Sequence, residues 1–260
     1  MKIIKLLLSA LLVLSLAACS SSAAEPEDTA DAQDEVTTDE YLAALSGTYE
    51  ELFPAMGRDE NKQIWYDNFK EVLGVEDEET AEVLRQVILS MFSAEVYGEE
   101  AVALAAEDPT YYQFDCYFID GVSTIAFEGN TISGYDAEGN EVFSHSYTYV
   151  EDMKTDFGAM NETYEAYFTE ETWPTFAIYE SDGEDDDFKY FAFGGDTPAE
   201  TYHIEFRYGP STDGLTSYYD GSYAYWLASG MLVDCPQEMM ENVINLFVTE
   251  NADSFAQMLQ

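Results

Sequence analysis

The stretch at residues 118–150 reads FIDGVSTIAFEGNTISGYDAEGNEVFSHSYTYV. Short runs of aromatic and β-branched residues alternate in it with turn signals such as Asp120-Gly121 and Glu128-Gly129-Asn130, a pattern typical of antiparallel strands joined by tight connections. Eight such strands predict a closed or nearly closed antiparallel barrel over residues 110–210. The predicted strands cover approximately 111–119, 122–128, 131–135, 141–150, 163–169, 175–181, 187–194 and 201–208.

Apolar residues at helical spacing flank this predicted barrel on both sides. Asp39 precedes the first helical segment and is expected to cap it, and Gly74 is expected to end the second. We therefore predict one domain over residues 38–260, helical at 38–109 and again at 211–260. The predicted helices cover approximately 40–53, 64–73, 79–92, 213–219 and 237–248.

The N-terminus predicts export. Lys2 and Lys5 precede an apolar stretch too short to span a bilayer as a mature helix, and Leu16-Ala17-Ala18-Cys19 resembles a bacterial lipobox. In a lipobox the cysteine is lipidated and becomes the new N-terminus, so we expect a lipoprotein signal peptide at 1–18 and a lipid anchor at Cys19. The alternative is an ordinary secretory signal with an incidental cysteine. Residues 19–37 are acidic and nearly free of apolar side chains, which predicts a flexible tether.

The composition is strongly acidic, with 53 Asp and Glu against 9 Lys and Arg and a formal net charge of −44. Such a charge repels phosphate backbones, so we expect no nucleic-acid partner. It attracts cations, although most of the acids are expected to form a solvated surface that resists aggregation. Outside the cytoplasm Cys116 and Cys235 could form one disulfide, and the sequence does not decide whether they do.

We do not expect an enzyme, because the chain lacks a Gly-x-Ser-x-Gly elbow, a His-Glu-x-x-His pair and a glycine-rich phosphate loop. The most chemically suggestive stretch is Thr201–Tyr208, TYHIEFRY. Alternation along a strand puts His203, Glu205 and Arg207 on one face. The histidine and the glutamate could ligate a metal there, and the alternative is a hydrogen-bonded His–Glu–Arg network.

Two other features have plainer interpretations. His145 shares a predicted strand face with aromatic residues, so we expect a partly buried, hydrogen-bonded ring. The acidic run at 182–187 lacks the spacing and the closing glutamate of an EF-hand loop. We expect a solvated hairpin turn there, with weak calcium binding as the alternative.

The order of motifs in the second half of the chain resembles one protein family. Thr201–Phe206 (TYHIEF) is followed by Gly209, the segment 213–219, the aromatic stretch Tyr223–Trp226 and the methionine pair within Glu238–Glu241. This order is similar to that of the ZinT family of bacterial zinc-binding domains. The resemblance covers approximately residues 40–248, and further matching features are Leu45–Tyr49, Ile119–Gly121 and Phe191–Phe193.

The resemblance implies a mainly β fold, a lipocalin-like (calycin) antiparallel β-barrel with N-terminal and C-terminal helices. It implies a membrane-anchored, extracytoplasmic protein that binds zinc or a similar divalent cation and aids metal capture or delivery, beside a metal ABC transporter component. The function that stays open beside it is a lipocalin-like binder of a small apolar or sugar ligand that has lost the metal.

The resemblance also implies where the ligands lie. The family holds its metal with three histidines, and these positions fall on His203, on Thr201 and near Asp196 in this chain. Only one of the three is a histidine here. Glu205 shares the strand face of His203 and could replace a missing ligand. The expected metal ligands are therefore His203, Asp196 and Glu205.

Overall fold

The computed structural model describes residues 39–259, apart from 94, 109–110, 112 and 184. The predicted signal peptide, the lipid anchor at Cys19 and the acidic tether lie outside the described residues. None of the described helices has the length and apolar character needed to cross a bilayer.

Eight antiparallel strands form one closed barrel, as the sequence predicts. Each strand pairs with its neighbours in chain order, and the first strand pairs with the last to close the barrel. The strands are β1 (Gly47–Glu51), β2 (Thr124–Glu128), β3 (Thr131–Tyr135), β4 (Glu141–Lys154), β5 (Thr175–Ser181), β6 (Tyr190–Phe193), β7 (Ile204–Gly209) and β8 (Ala228–Leu232).

Two of the eight strands lie outside the predicted range 110–210, and that prediction is wrong at both ends. β1 lies within the segment 40–53, for which a continuous helix was predicted. That helix is interrupted because Gly47 adopts φ +141°. Tyr49 then points into the barrel from an otherwise polar strand. β8 gives no alternation signal, because four of its five residues, 228–231, are buried.

Two predicted strands are absent from the barrel. The residues of segment 111–119 that the structure describes form no strand, and their β-pairing is confined to isolated bridges at Asp115. The segment 163–169 contains part of a short helix and turns, and Tyr164 stacks on Phe157 with ring centroids 3.9 Å apart. Phe114 and Tyr164 are buried by packing on the barrel from outside, whereas Phe118 packs against Phe206 in the inner layer.

Helices lie before, between and after the barrel strands in the chain, and several match their predictions. They are α1 (Glu40–Ala44), α2 (Leu52–Met56), α3 (Lys62–Asn68, continued by a π-helical turn at Phe69–Leu73), α4 (Glu78–Met91), α5 (Glu99–Glu107), α6 (Asn161–Glu165), α7 (Gln237–Glu250) and α8 (Ala252–Met258). Asp39 caps α1 by accepting from the backbone N–H groups of Tyr41 and Leu42, and Gly74 ends the second helical segment in the left-handed conformation. The helix predicted at 213–219 is instead a series of turns.

Buried apolar side chains form two layers. The inner layer fills the barrel, with the side chains of α1 closing over one part of it; its members include Leu42, Leu45, Tyr49, Phe127, Phe191, Phe206 and Tyr208. The outer layer lies between the barrel wall and the helices, and its members include Phe53, Trp65, Phe92, Ala192, Met231 and Val243. Cys116 belongs to the outer layer; it and Cys235 are free thiols, so the disulfide that the sequence left open does not form.

Candidate metal centre

β7 carries the candidate site on the outer wall of the barrel. Ile204, Phe206 and Tyr208 point into the inner layer, as alternation predicts. Glu205, between two of these, faces the helices on the outside of the barrel, and His203 precedes the strand by one residue on the same side. Tyr202 departs from the predicted alternation, because its positive φ of +67° turns the chain and the ring packs against the outer layer.

The connection between β6 and β7 brings Asp196 to the same place. Thr201 holds this connection closed: its backbone N–H donates to the Thr197 carbonyl oxygen at 2.8 Å, and its hydroxyl accepts from the Thr197 N–H at 3.0 Å. Tyr41 of α1 donates its hydroxyl proton to the Asp196 carbonyl oxygen at 3.0 Å. The connection therefore folds back onto the start of β7.

Asp196, His203 and Glu205 meet in one cluster. Each offers one ligand atom, and these atoms all lie within 4.8 Å of one another; Nε2 of His203 is 3.7 Å from Oε1 of Glu205. Nδ1 of His203 lies 2.7 Å from the Thr201 carbonyl oxygen, to which it can only donate. A ring held through Nδ1–H to a backbone carbonyl presents Nε2 as its ligand atom, an arrangement common in metal sites.

The cluster is buried and polar atoms in it lack partners. Asp196 is 1% exposed and His203 is 7% exposed. Oδ2 of Asp196 and Oε2 of Glu205 are buried with no hydrogen-bond partner. Buried carboxylate oxygens are normally paired, and an unpaired one calls for an explanation such as a bound ion or water. Two such oxygens beside an imidazole nitrogen fit the donor set of a transition-metal dication.

Burial and the charges within the cluster shift the pKa values of Asp196 and His203. Burial and, after it, the negative charge of Glu205 raise the pKa of Asp196 to about 7. For His203, burial alone would lower the pKa, but the nearby carboxylates of Glu205 and Asp196 outweigh it and raise the pKa to about 9. At neutral pH without a metal, the imidazole is therefore a cation held between the acids.

Arg207 does not complete a His–Glu–Arg network by direct hydrogen bonds. Its Nη1 donates to the carbonyl oxygens of Leu215 and Ser217, at 3.0 and 2.7 Å, and its guanidinium lies over the ring of Tyr218 at 4.7 Å. Nε and Nη2 have no partner, and neither does Oε2 of Glu205. The sequence analysis gave a His–Glu–Arg network as the alternative to a metal site. Of that network, only the His203–Glu205 pair is present.

The other features singled out in the sequence lie elsewhere. His145 is partly buried and its Nε2 is 2.7 Å from Oδ2 of Asp186, as expected of a hydrogen-bonded ring. The run 182–187 connects β5 to β6. In that run the Asp182 carboxylate accepts from the Ser146 N–H of β4, and the Asp186 carboxylate accepts from the Phe188 N–H within the connection.

The sequence analysis missed two residues beside the cluster, Glu250 and Asn251. They stand at the junction of α7 and α8 and line a cavity of about 50 Å³ together with His203 and Glu205. The helix was predicted to end near residue 248, and no spacing in the sequence relates this junction to β7. Only the packing of α7 on the barrel brings them there.

The interior of the barrel is filled with aromatic side chains. Phe191 lies at the centre, with ring centroids 5.7 Å from Phe193, 5.8 Å from Phe206 and 5.2 Å from Tyr208. All four rings are fully buried. The aromatic lining that suggested a pocket for a small organic ligand therefore packs against itself.

No family model matches the chain, and no curated protein matches it. Among solved structures, the chain is similar to the zinc-bound ZinT-like domain of Streptococcus pneumoniae AdcA, with 14% identity and a TM-score of 0.45 over 82% of this chain and 94% of that domain. It is also similar to zinc-bound AdcA of the same organism, with 12% identity and a TM-score of 0.43, over 88% of this chain and 41% of AdcA.

Proposed function

We propose that this protein is a metal-binding protein that holds zinc or a similar transition-metal dication between Asp196, His203 and Glu205. The observation that carries the proposal is the meeting of three ligand groups within 4.8 Å, two of which have a buried oxygen without a partner. The three residues come from one loop and one strand start, so the barrel wall positions them without a conformational change of the fold.

The donor set favours zinc over the abundant hard cations. One imidazole nitrogen and two carboxylates suit zinc and its neighbours in the transition series. Calcium takes six to eight oxygen ligands and magnesium keeps several waters, and neither requirement is met by a cluster that includes His203. The packed interior of the barrel gives no support to the alternative of a small organic ligand.

We extend the proposal to the cellular location and the role of the protein. The lipobox-like Leu16–Cys19 and the acidic stretch 19–37 support a protein anchored by lipid to the outer face of a bacterial membrane. A buried site at the end of a tether would suit metal capture or delivery beside a metal transporter. The role is one of binding rather than catalysis.

Calorimetric titration of zinc tests the proposal, with excess calcium present to occupy loose carboxylates. We expect one zinc per chain at the cluster and loss of that binding in His203→Ala. His145→Ala is the matched control, because His145 is the other histidine of the chain and is paired with Asp186 away from the cluster. That variant is expected to bind zinc as the unaltered protein does.

Asp196→Asn is a second variant that keeps the size of the side chain, so that loss of binding can be separated from loss of fold; circular dichroism checks the fold of each variant. Zinc binding that withstands both His203→Ala and Asp196→Asn, or the absence of calcium-resistant binding, would refute the proposal.

A further inference from the structure

A small cavity lies between the candidate site and the C-terminal helices. His203 and Glu205 line it from the barrel side, and Glu250 and Asn251 line it from the junction of α7 and α8. Its volume is about 50 Å³, which is space for a few small atoms or water molecules. The remainder of its wall is mainly apolar, with contributions from Leu52, Phe53, Phe92, Leu227, Val243 and Phe247.

The helix junction brings two oxygen-bearing side chains to this cavity. Glu250, the last residue of α7, is partly buried although its carboxylate is charged in solution. Burial raises the pKa of Glu250; the charge of His203 lowers it and that of Glu205 raises it, so all three groups interact. Asn251 is 3% exposed; its Nδ2 donates to the Phe247 carbonyl oxygen at 2.7 Å, while its Oδ1 is buried with no partner.

We propose that Glu250 is a fourth metal ligand, supplied across the cavity by the C-terminal helices. The inference rests on the proposed function. Asp196, His203 and Glu205 offer three ligands, one fewer than zinc commonly takes in a closed protein site. The carboxylate on the far side of the cavity is the available fourth, and the unpartnered Oδ1 of Asn251 adds a further polar atom in the same wall.

A ligand on α7 has a mechanical consequence. The helix is already attached to the outer layer through Val243, Ile244 and Val248, and Asn245 donates to Oδ1 of Asn68 at 2.6 Å. A metal joined to both Glu205 and Glu250 would fasten its last turn directly to β7. Metal binding thereby becomes linked to the docking of α7 and α8.

The test combines zinc affinity with amide hydrogen exchange in the full protein. We expect zinc to slow exchange in the last turn of α7 and in α8. Glu250→Gln should weaken zinc binding about ten- to a hundredfold and remove this zinc-dependent protection. Glu241→Gln is the matched control, because it removes the same charge from an exposed position of the same helix and should change neither quantity.

Glu250→Asp separates ligation from simple charge attraction. It keeps the charge but withdraws the carboxylate by one methylene group, so a ligand role predicts weaker zinc binding. Affinity equal to that of the unaltered protein in Glu250→Asp, or unchanged affinity and protection in Glu250→Gln, would overturn the inference while leaving the three-ligand site intact. Failure of the unaltered protein to bind zinc would instead overturn the proposed function itself.

Discussion

With a pKa of about 9, the His203 imidazole is expected to be protonated at neutral pH in the metal-free protein, and a metal that binds to it must displace this proton. Its Nε2 faces Glu205 while its Nδ1 is held by the Thr201 carbonyl. The proton on Nε2 balances part of the charge of the two acids, and a metal ion would take its place. Binding is then an exchange of one cation for another within a buried acidic cluster.

Zinc binding is expected to release protons. Because the pKa of His203 is about 9, a metal at neutral pH must displace about one proton from the imidazole, and Asp196, with a pKa of about 7, adds a fraction of another. Zinc affinity should therefore rise about tenfold or more per pH unit between pH 6 and pH 8. Titrations in two buffers of different ionisation enthalpy measure the number of protons released.

His145→Ala should release the same number of protons, since its ring is not part of the cluster. Equal heats in the two buffers, together with an affinity that does not change between pH 6 and pH 8, would show that His203 is not a ligand.

The sequence predicts some of these residues better than others, for physical reasons. His203 and Glu205 are two residues apart on a strand, so alternation alone puts them together. Asp196 could be placed near them only through the family resemblance, because its position depends on how a ten-residue connection folds. Glu250 meets the cluster through the packing of a distant helix, which no local pattern records.

The same distinction holds for whole elements. β2 and β3 were predicted closely because Glu128-Gly129-Asn130 marks the turn between them and their inward-facing residues alternate. β1 and β8 close the barrel by pairing with each other, and neither carries that signal. β1 is short and polar apart from Tyr49, and β8 is buried along most of its length. Barrel closure is a long-range property that these two segments reveal only in the folded chain.

A close approach between β3 and β4 makes one element-level prediction. Gly134 of β3 lies opposite Phe143, beside a bulge at Val142 of β4, and a Cβ added to Gly134 would be 2.2 Å from Cε1 of Phe143. The Phe143 ring cannot easily move away, because it stacks on Phe188 with centroids 4.0 Å apart. Gly134→Ala should lower the free energy of unfolding by about 1–3 kcal/mol, through overpacking of the barrel interior, as measured by urea denaturation.

A double-mutant cycle tests whether the Phe143 ring causes the loss of stability expected in Gly134→Ala. If the ring of Phe143 is the obstacle, Gly134→Ala should cost less in a Phe143→Leu background, where the smaller side chain leaves room. Additive effects of the two substitutions would mean that the clash with Phe143 does not account for the loss.

At the scale of the whole molecule, a specific metal site must be distinguished from a general attraction for cations. The chain carries a net charge of −44 and 53 acidic residues, so many carboxylates can bind a dication loosely. The cluster at β7 differs from the acidic surface in three ways: it contains an imidazole, it is buried, and its carboxylates have unpartnered oxygens. These properties, rather than the charge, should decide where the first zinc binds.

Locating that zinc tests the central claim most directly. In crystals of the protein grown with one equivalent of zinc, anomalous diffraction at the zinc absorption edge identifies the metal without reference to its surroundings. We predict one dominant peak about 2.0–2.2 Å from Nε2 of His203 and from carboxylate oxygens of Asp196 and Glu205. A dominant peak at another group of acids, such as the turn at 182–187, or a site bound well away from His203, would contradict the account.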